Sequence, residues 1–287
     1  MPSLKAIRTR INSVKNTQKI TRALKLVAAA RLRRAQENVT AARPYAVALE
    51  DVIAEVAARA GADAHPLLAA RPMKKVELVV LTADRGLAGA FNSNINRATE
   101  RYLAEHSHDF AEVGLAVVGR KGRDYLRRRR HNVTTELAFP TSANALAEAR
   151  EITHNVIERY RDAKLDGVFL VYNEFKSAIS QAVRVEQLLP VRPKKLEAAA
   201  GGDFLYEPSK AVVLDTLVPL YVEIEIYRAM LESIASFFGS QMTAMDSATK
   251  NANEMIGKYT LQYNRGRQAA ITKELLEIIG GAEALKG

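Results

Sequence analysis

Glycine spacing is the first feature of this 287-residue chain that could do chemistry. Gly114-Leu-Ala-Val-Val-Gly119 has the separation of a phosphate-cradling P-loop, but Arg120 and Lys121 follow where such a loop needs Lys and then Ser or Thr. The four intervening residues read as strand interior, which leaves no free loop to wrap a phosphate. Gly86-Leu-Ala-Gly89 lacks the dinucleotide spacing and is explained by a turn after a strand. The five histidines do not converge. His106 and His108 are two apart, so on a helix they point away from each other, and no carboxylate pair stands at ligand spacing beside them. The absence of cysteine removes disulfides, thiolate metal sites and cysteine nucleophiles, and it fits a reducing compartment. Serine-nucleophile signatures are missing. The expectation is a chain with no catalytic, cofactor-binding or metal-ligating residues.

The elements that would position any site are themselves more informative. From about Leu217 to Leu285, apolar or small residues recur at Leu217, Leu220, Ile224, Tyr227, Leu231, Ile234, Phe238, Met245, Ala248, Ala252 and Met255, with one polar break at Gln241. Steps of three and four sustained this far make a heptad seam. No proline follows Pro219, and the Gly280-Gly281 pair is the first plausible stop. Such a helix would be about 100 Å long. A folded core of about 130 residues has a radius of gyration near 14 Å, so the helix needs a partner outside that core.

Residues 3 to 60 supply one. A second seam passes through Leu4, Ile7, Ile11, Val14, Leu24, Val27, Val39, Leu49, Val52 and Val56, and ends at Gly61 with Pro66 beyond. Between Val14 and Leu24 it softens, because Gln18 and Thr21 occupy the expected positions and Ile20 lies off the line. Pairing there should be loose or partly polar. Pro44 should kink or divide this helix. Since one helix enters the middle of the chain and the other leaves it, the two would run antiparallel.

Between them the period changes. Strands are expected over Val76–Thr82, Val113–Val118, Val133–Phe139, Val168–Phe175 and Ile179–Leu189, the last two as a hairpin. Helices are expected over Asn92–His106, Lys121–Arg130 and Asn144–Tyr160. This alternation argues for a largely parallel sheet with helices packed on it. Residues 191 to 210, with Pro193, Gly201, Gly202 and Pro208, read as an irregular connector. The domains expected are 1–60, a helix; 61–210, an α/β domain; and 211–287, a helix.

With 48% hydrophobic and 26% charged residues the chain is not of a disordered type, and no apolar run approaches a membrane span, since Asp215, Glu223 and Glu225 interrupt the best candidate. The net charge of +10 is unevenly placed. Lys5, Arg8, Arg10, Lys15, Lys19, Arg22, Lys25, Arg31, Arg33 and Arg34 lie in residues 1–34 with no acidic residue among them. Repulsion along one helix calls for an acidic surface opposite, whether nucleic acid, anionic membrane or protein. An Arg-rich, acid-poor start also suggests a mitochondrial presequence, but this one is serine-poor and runs unbroken into a helix reaching Ala60.

Three stretches resemble one family, the γ subunit of F-type ATP synthases: INSVKNTQKITRALKLVAAARLRRAQ at 11–36, LTADRGLAGAFN at 81–92, and AMDSATKNANEMI at 244–256 running on to YNRGRQAAITKELLEIIGGAEAL at 263–285. The resemblance implies an α/β-plus-coiled-coil fold, a long antiparallel coiled coil of the N- and C-terminal helices with a central Rossmann-like α/β domain between them in the chain. It implies a rotor shaft that is not itself catalytic, binds no cofactor, and turns inside a hexamer of α and β subunits. The domain would rest with the ε subunit on the ring of c subunits. Arg31, Arg33 and Arg34 would then face acidic loops of β. Near the tip, Arg267, Gln268 and Thr272 would make polar contacts with the surrounding subunits. Leu275, Leu276, Ile278 and Ile279 would meet an apolar bearing. Phe204, Tyr206 and Glu207, in Phe204-Leu-Tyr-Glu-Pro208, would form the foot near the c ring and ε. The last helix should outrun the first by about ten residues, roughly 15 Å, as a single-helix tip.

Two departures stand out. Ala88 and Ala90 replace the family's frequent Cys and Gly. Phe237 and Gln241 replace a usual Glu and Arg, so two charges expected on the coil surface are missing. Starting at Met1 without a presequence, the chain is expected to be bacterial, peripheral on the cytoplasmic side of the plasma membrane and not inserted in it. The alternative is a nucleic-acid-binding coiled-coil protein, suggested by the pI near 9.7. The first 44 residues hold no aromatic, which counts against base stacking and so against nucleic acid as a partner. An enzyme built on the α/β domain lacks every residue it would need.

Overall fold

The computed structural model describes residues 3–60, 64–192, 207 and 209–284. Two helices enclose an α/β segment in sequence. Helix α1 spans Leu4–Ala60, and α5 spans Lys210–Ala284. Between them come β1 (Lys75–Leu81), α2 (Phe91–Glu105), β2 (Glu112–Val118), α3 (Arg120–Arg128), β3 (Val133–Leu137), α4 (Ala145–Arg161), β4 (Gly167–Phe175) and β5 (Gln181–Leu189). The chain divides into two compact units, one of Met1–Val27 with Met242–Gly287, the other of Ala28–Gln241.

In the larger unit the strands form one sheet in the order β3-β2-β1-β4-β5. The first four are mutually parallel, and β5 pairs antiparallel with β4 as the expected hairpin. The alternation of β1 splits its side chains between two faces. Val76, Leu78 and Val80 join Phe91 and Ile95 of α2, Leu126 of α3 and Phe237 of α5 in one core. Glu77 points the other way, wholly buried, where Arg159 of α4 reaches it at 2.6 Å and the Thr134 hydroxyl donates to it at 3.1 Å. A carboxylate inside the central strand survives because a guanidinium meets it there; left alone it would be strongly destabilising.

Every residue of α5 from Ala229 to Phe237 is buried. A helix buried all round must be covered on more than one side. Here α1 covers one side, with Arg31 over the Phe238 ring and Arg43 near Glu232. The α/β layer covers another, with Phe91 packed edge-on against Phe237 at 5.5 Å and Ser236 donating to the Asn173 carbonyl.

In the smaller unit α1 and α5 run antiparallel in a fixed register. Each step toward the start of α1 meets a later residue of α5. Lys25 pairs with Asp246 at 2.5 Å, Thr21 with Thr249 at 2.8 Å, Gln18 with Asn253, and Leu4 lies against Gly266. The soft stretch in the sequence is thus a run of polar layers, and Ile20 is indeed off the seam at 61% exposure.

Some expectations need correcting. Helix α1 passes through Pro44 undivided. Pro44 and Thr40, whose carbonyl the proline leaves without a donor, are both exposed, so water can satisfy that carbonyl. Val27 and Val52 are exposed, while Ala28, Leu32, Ala35 and Ile53 are buried in their place. The three-four alternation through Gln18 and Thr21 leads to Ala28, Leu32 and Ala35, and the two alanines allow close helix approach. In α5 the exposed Met255 yields its seam place to Ile256. Helix α5 begins at Lys210, ahead of the expected Leu217, where Ser209 offers its hydroxyl and carbonyl to the Val212 and Val213 amides. It also passes through Gly280-Gly281, since glycine costs about 1 kcal/mol per helical position but does not forbid one.

Candidate partner-binding surfaces

The carboxyl ends of the strands, where open α/β sheets bind ligands, are closed at α3 by the chain's own groups. Gly119 has φ +93°, and a Cβ there would sit 2.1 Å from the Thr82 carbonyl oxygen, so only glycine lets β2 end this close to β1. The first-turn amides of α3 are then taken in order: Arg120 N donates to Asp84 Oδ1, Lys121 N to the Ala83 carbonyl and Gly122 N to Thr82 Oγ1. Asp84 stands where a phosphate would bind a helix N-terminus. Asn92 ties the following loop, accepting from Ala83 N and donating to the Arg85 carbonyl. Among the described residues no group of three His, Cys, Asp or Glu could hold a metal ion. His106 instead stacks on Tyr102 at 4.2 Å.

The basic helix presents the first candidate surface. Of its ten cations, Lys25 pairs with Asp246, and Arg33 pairs with Glu37 one turn on at 3.3 Å. The Lys25 hydrogen bond, aided by Lys250, holds the Asp246 carboxyl below its usual range. The remaining eight form no ion pair among the described residues. The three arginines singled out therefore separate: Arg31 and Arg34 line one cavity without an ion-pair partner among the described residues, while Arg33 is directed to Glu37.

The second surface is the end of α5. Leu4, the first residue of α1, lies against Gly266, and from Ile271 to Ala282 every residue is exposed. Ile271, Leu275, Leu276, Ile278 and Ile279 are between 52% and 71% exposed. Spacings of three and four place Ile271, Leu275, Ile278 and Ile279 along one stripe, and an apolar stripe in water marks a contact site. Arg267, Gln268 and Thr272 are exposed, and their side chains form no hydrogen bond or ion pair among the described residues. Beyond Ala270 the unpaired helix rises about 20 Å, somewhat more than the expected overhang. Glu207 is exposed. Phe204 and Tyr206 lie outside the described residues.

Phe237 is corrected outright. It is 6% exposed, ringed by Phe91, Phe139 and Phe238 at 5.3 to 5.7 Å, and belongs to the core, not to a coil surface. Sequence reasoning also passed over Arg85, which lines the same cavity as Arg31 and Arg34; its place just after β1 was the available signal. It missed the charges around Glu232 too. That carboxylate is 2% exposed, accepts from the Phe175 amide and lies near Arg43 and Arg228. Burial pushes its pKa up, and the two arginines pull the other way.

A family model described as ATP synthase matches residues 3–285. The ATP synthase gamma chain of Anaeromyxobacter sp. (strain Fw109-5) is 53% identical over the whole length of both chains, and that of Geobacter sp. (strain M21) is 49% identical over the same extent. Among solved structures, a chain in the central stalk/c-ring of the Tetrahymena thermophila mitochondrial ATP synthase is similar, with TM-score 0.59, 26% identity and coverage of 80% of this chain and 99% of that one. A chain in the OSCP/F1/c-ring of the Euglena gracilis mitochondrial ATP synthase gives TM-score 0.65 at 20% identity, covering 98% and 94%.

Proposed function

The chain belongs to the ATP synthase gamma-chain family, and we propose that it is the central-stalk rotor subunit of an F-type ATP synthase. It couples ion-driven rotation of the c-subunit ring to ATP synthesis, or ATP hydrolysis to ion pumping, at sites held by β subunits. Its partners are the α and β subunits, ε and the c ring. Its own role is not catalytic: it transmits torque. The observation that carries this reading is the antiparallel pair in the smaller unit, in which α5 outruns α1 and ends in exposed apolar turns. A helix end of that kind suits an apolar bearing formed by the surrounding hexamer.

The remaining roles follow from charge and exposure. Arg31 and Arg34 face acidic loops of β, with Arg33 contributing less because Glu37 already balances it. Arg267, Gln268 and Thr272 make polar contacts near the tip, and Leu275, Leu276 and Ile279 enter the bearing. Phe204, Tyr206 and Glu207 stand at the foot toward the c ring and ε. No described helix is long and apolar enough to cross a membrane, which supports peripheral attachment. The relatives from Anaeromyxobacter and Geobacter support a bacterial plasma membrane, on its cytoplasmic side. No observation favours the nucleic-acid reading.

The belt is tested by reversing its two free arginines. Membranes carrying Arg31→Glu with Arg34→Glu should assemble the complex and retain most ATPase activity while ATP-driven ion pumping falls several-fold. Pumping at the wild-type level would remove these residues from torque coupling.

A further inference from the structure

Within the larger unit, a cavity of about 670 Å³ opens at the carboxyl ends of β1 and β3. One wall is aromatic: Phe237 and Phe238 meet edge to face at 5.3 Å, and Phe139 lies 5.7 Å from Phe237. The rim is cationic. Arg31, Arg34 and Arg85 all line it, and none of the three forms an ion pair among the described residues. Asp84, next to Arg85 in sequence, is committed elsewhere, accepting from the Arg120 and Phe139 amides. Glu37 is on the rim but pairs with Arg33. The Ser142 hydroxyl, also in the lining, is a further donor with no partner among the described residues.

Three guanidinium groups without an ion-pair partner among the described residues, that of Arg31 already over the Phe238 ring, stand beside an aromatic wall and set a definite chemistry. Bare inorganic phosphate would use only the rim and leave the rings wet. A neutral aromatic would use only the rings and leave the arginines uncompensated. We infer that this cavity binds a small aromatic organic anion, an aryl sulfonate, phosphate or carboxylate, with its ring against Phe139, Phe237 and Phe238 and its charged group held by Arg31, Arg34 and Arg85. Its volume falls in the ordinary range for small-molecule sites. The paired N–H donors of a guanidinium can reach two oxygens of one carboxylate, phosphate or sulfonate, which a point charge does not match. The site stands on its own residues and not on the rotor assignment, so the isolated full-length chain tests it.

The probe is 8-anilinonaphthalene-1-sulfonate, followed by its own fluorescence. The expected result is saturable binding of one molecule per chain, weakened about three- to tenfold by Arg34→Gln and by Arg85→Gln, and weakened again by raising salt. Neutral N-phenyl-1-naphthylamine should bind at least about tenfold more weakly. Both substitutions are at exposed positions, and an unchanged far-ultraviolet circular dichroism spectrum checks that the fold is kept. Arg34→Lys should restore part of the lost affinity. Binding that is unsaturable, indifferent to both arginine substitutions, or equal for the neutral analogue would overturn the inference.

Discussion

His65 shows how a single side chain can make the fold sensitive to pH. Its ring is 2% exposed; Nδ1 accepts from the Leu67 amide at 3.1 Å. Nε2 lies 3.2 Å from an Asp215 carboxylate oxygen without a well-aligned hydrogen bond. Burial lowers the pKa below 6.5, outweighing the pull of Asp215, and Arg161 pushes the same way. The unfolded chain then binds the proton more readily than the folded one, so this stability is full above the unfolded pKa and declines as pH falls below about 6.5. His65→Asn, whose amide oxygen can still accept from Leu67, should flatten the fall of a Tm profile below about pH 6.5; an unaltered slope would assign the dependence elsewhere. Phe237 carries a larger consequence. Truncation to alanine should cost about 3–5 kcal/mol in urea unfolding, whereas a coil-surface position would cost under about 1 kcal/mol. Its type and spacing were plain in the sequence, but the family comparison made it look like a lost surface charge. Periodicity alone could not show that α5 is covered on two sides at this point, because a helix buried all round has no single stripe.

At the scale of elements, the polar layers of the helix pair are the feature that propensity alone would not favour. Gln18, Thr21 and Lys25 on α1 meet Asn253, Thr249 and Asp246 on α5, where apolar layers would pack more tightly. Polar layers fix register at a cost in stability. Replacing Thr21 and Thr249 together by valine removes both partners of one hydrogen bond and adds apolar contact. The double variant should therefore gain about 1 kcal/mol in thermal or urea unfolding, and a loss of more than about 1 kcal/mol would mean the layer holds more than register. These layers were legible as soon as Gln18 and Thr21 fell on the seam. The strands and the hairpin were legible too, each within a few residues of its place. Less legible were Glu77 inside β1 and Asp84 at the start of α3. Their partners, Arg159 and the Arg120 amide, come from distant parts of the chain, and nothing local announces the pairing. Pro44 does not divide α1, and α5 runs past the Gly280-Gly281 pair, for a related reason. Local breakers weigh against a helix, but water reaching the freed carbonyl at the first and glycine's modest cost at the second reduce the penalty.

At the scale of the whole molecule, the last turns of α5 separate a rotor from a self-contained fold. Leu275→Ser with Leu276→Ser changes two side chains already 54% and 64% exposed. It should leave the unfolding free energy of the isolated chain within about 0.5 kcal/mol of wild type, while lowering retention in the complex with α and β subunits. Equal retention would leave the apolar stripe without a bearing to enter. The measurement that reaches the central claim most directly is reconstitution of this chain with α and β subunits from the same source, with a bead fixed to its α/β segment. The account predicts one copy of the chain in each complex and unidirectional turning of the bead when ATP is supplied. A stable complex that hydrolyses ATP while the bead stays still, or no complex at all, would contradict it.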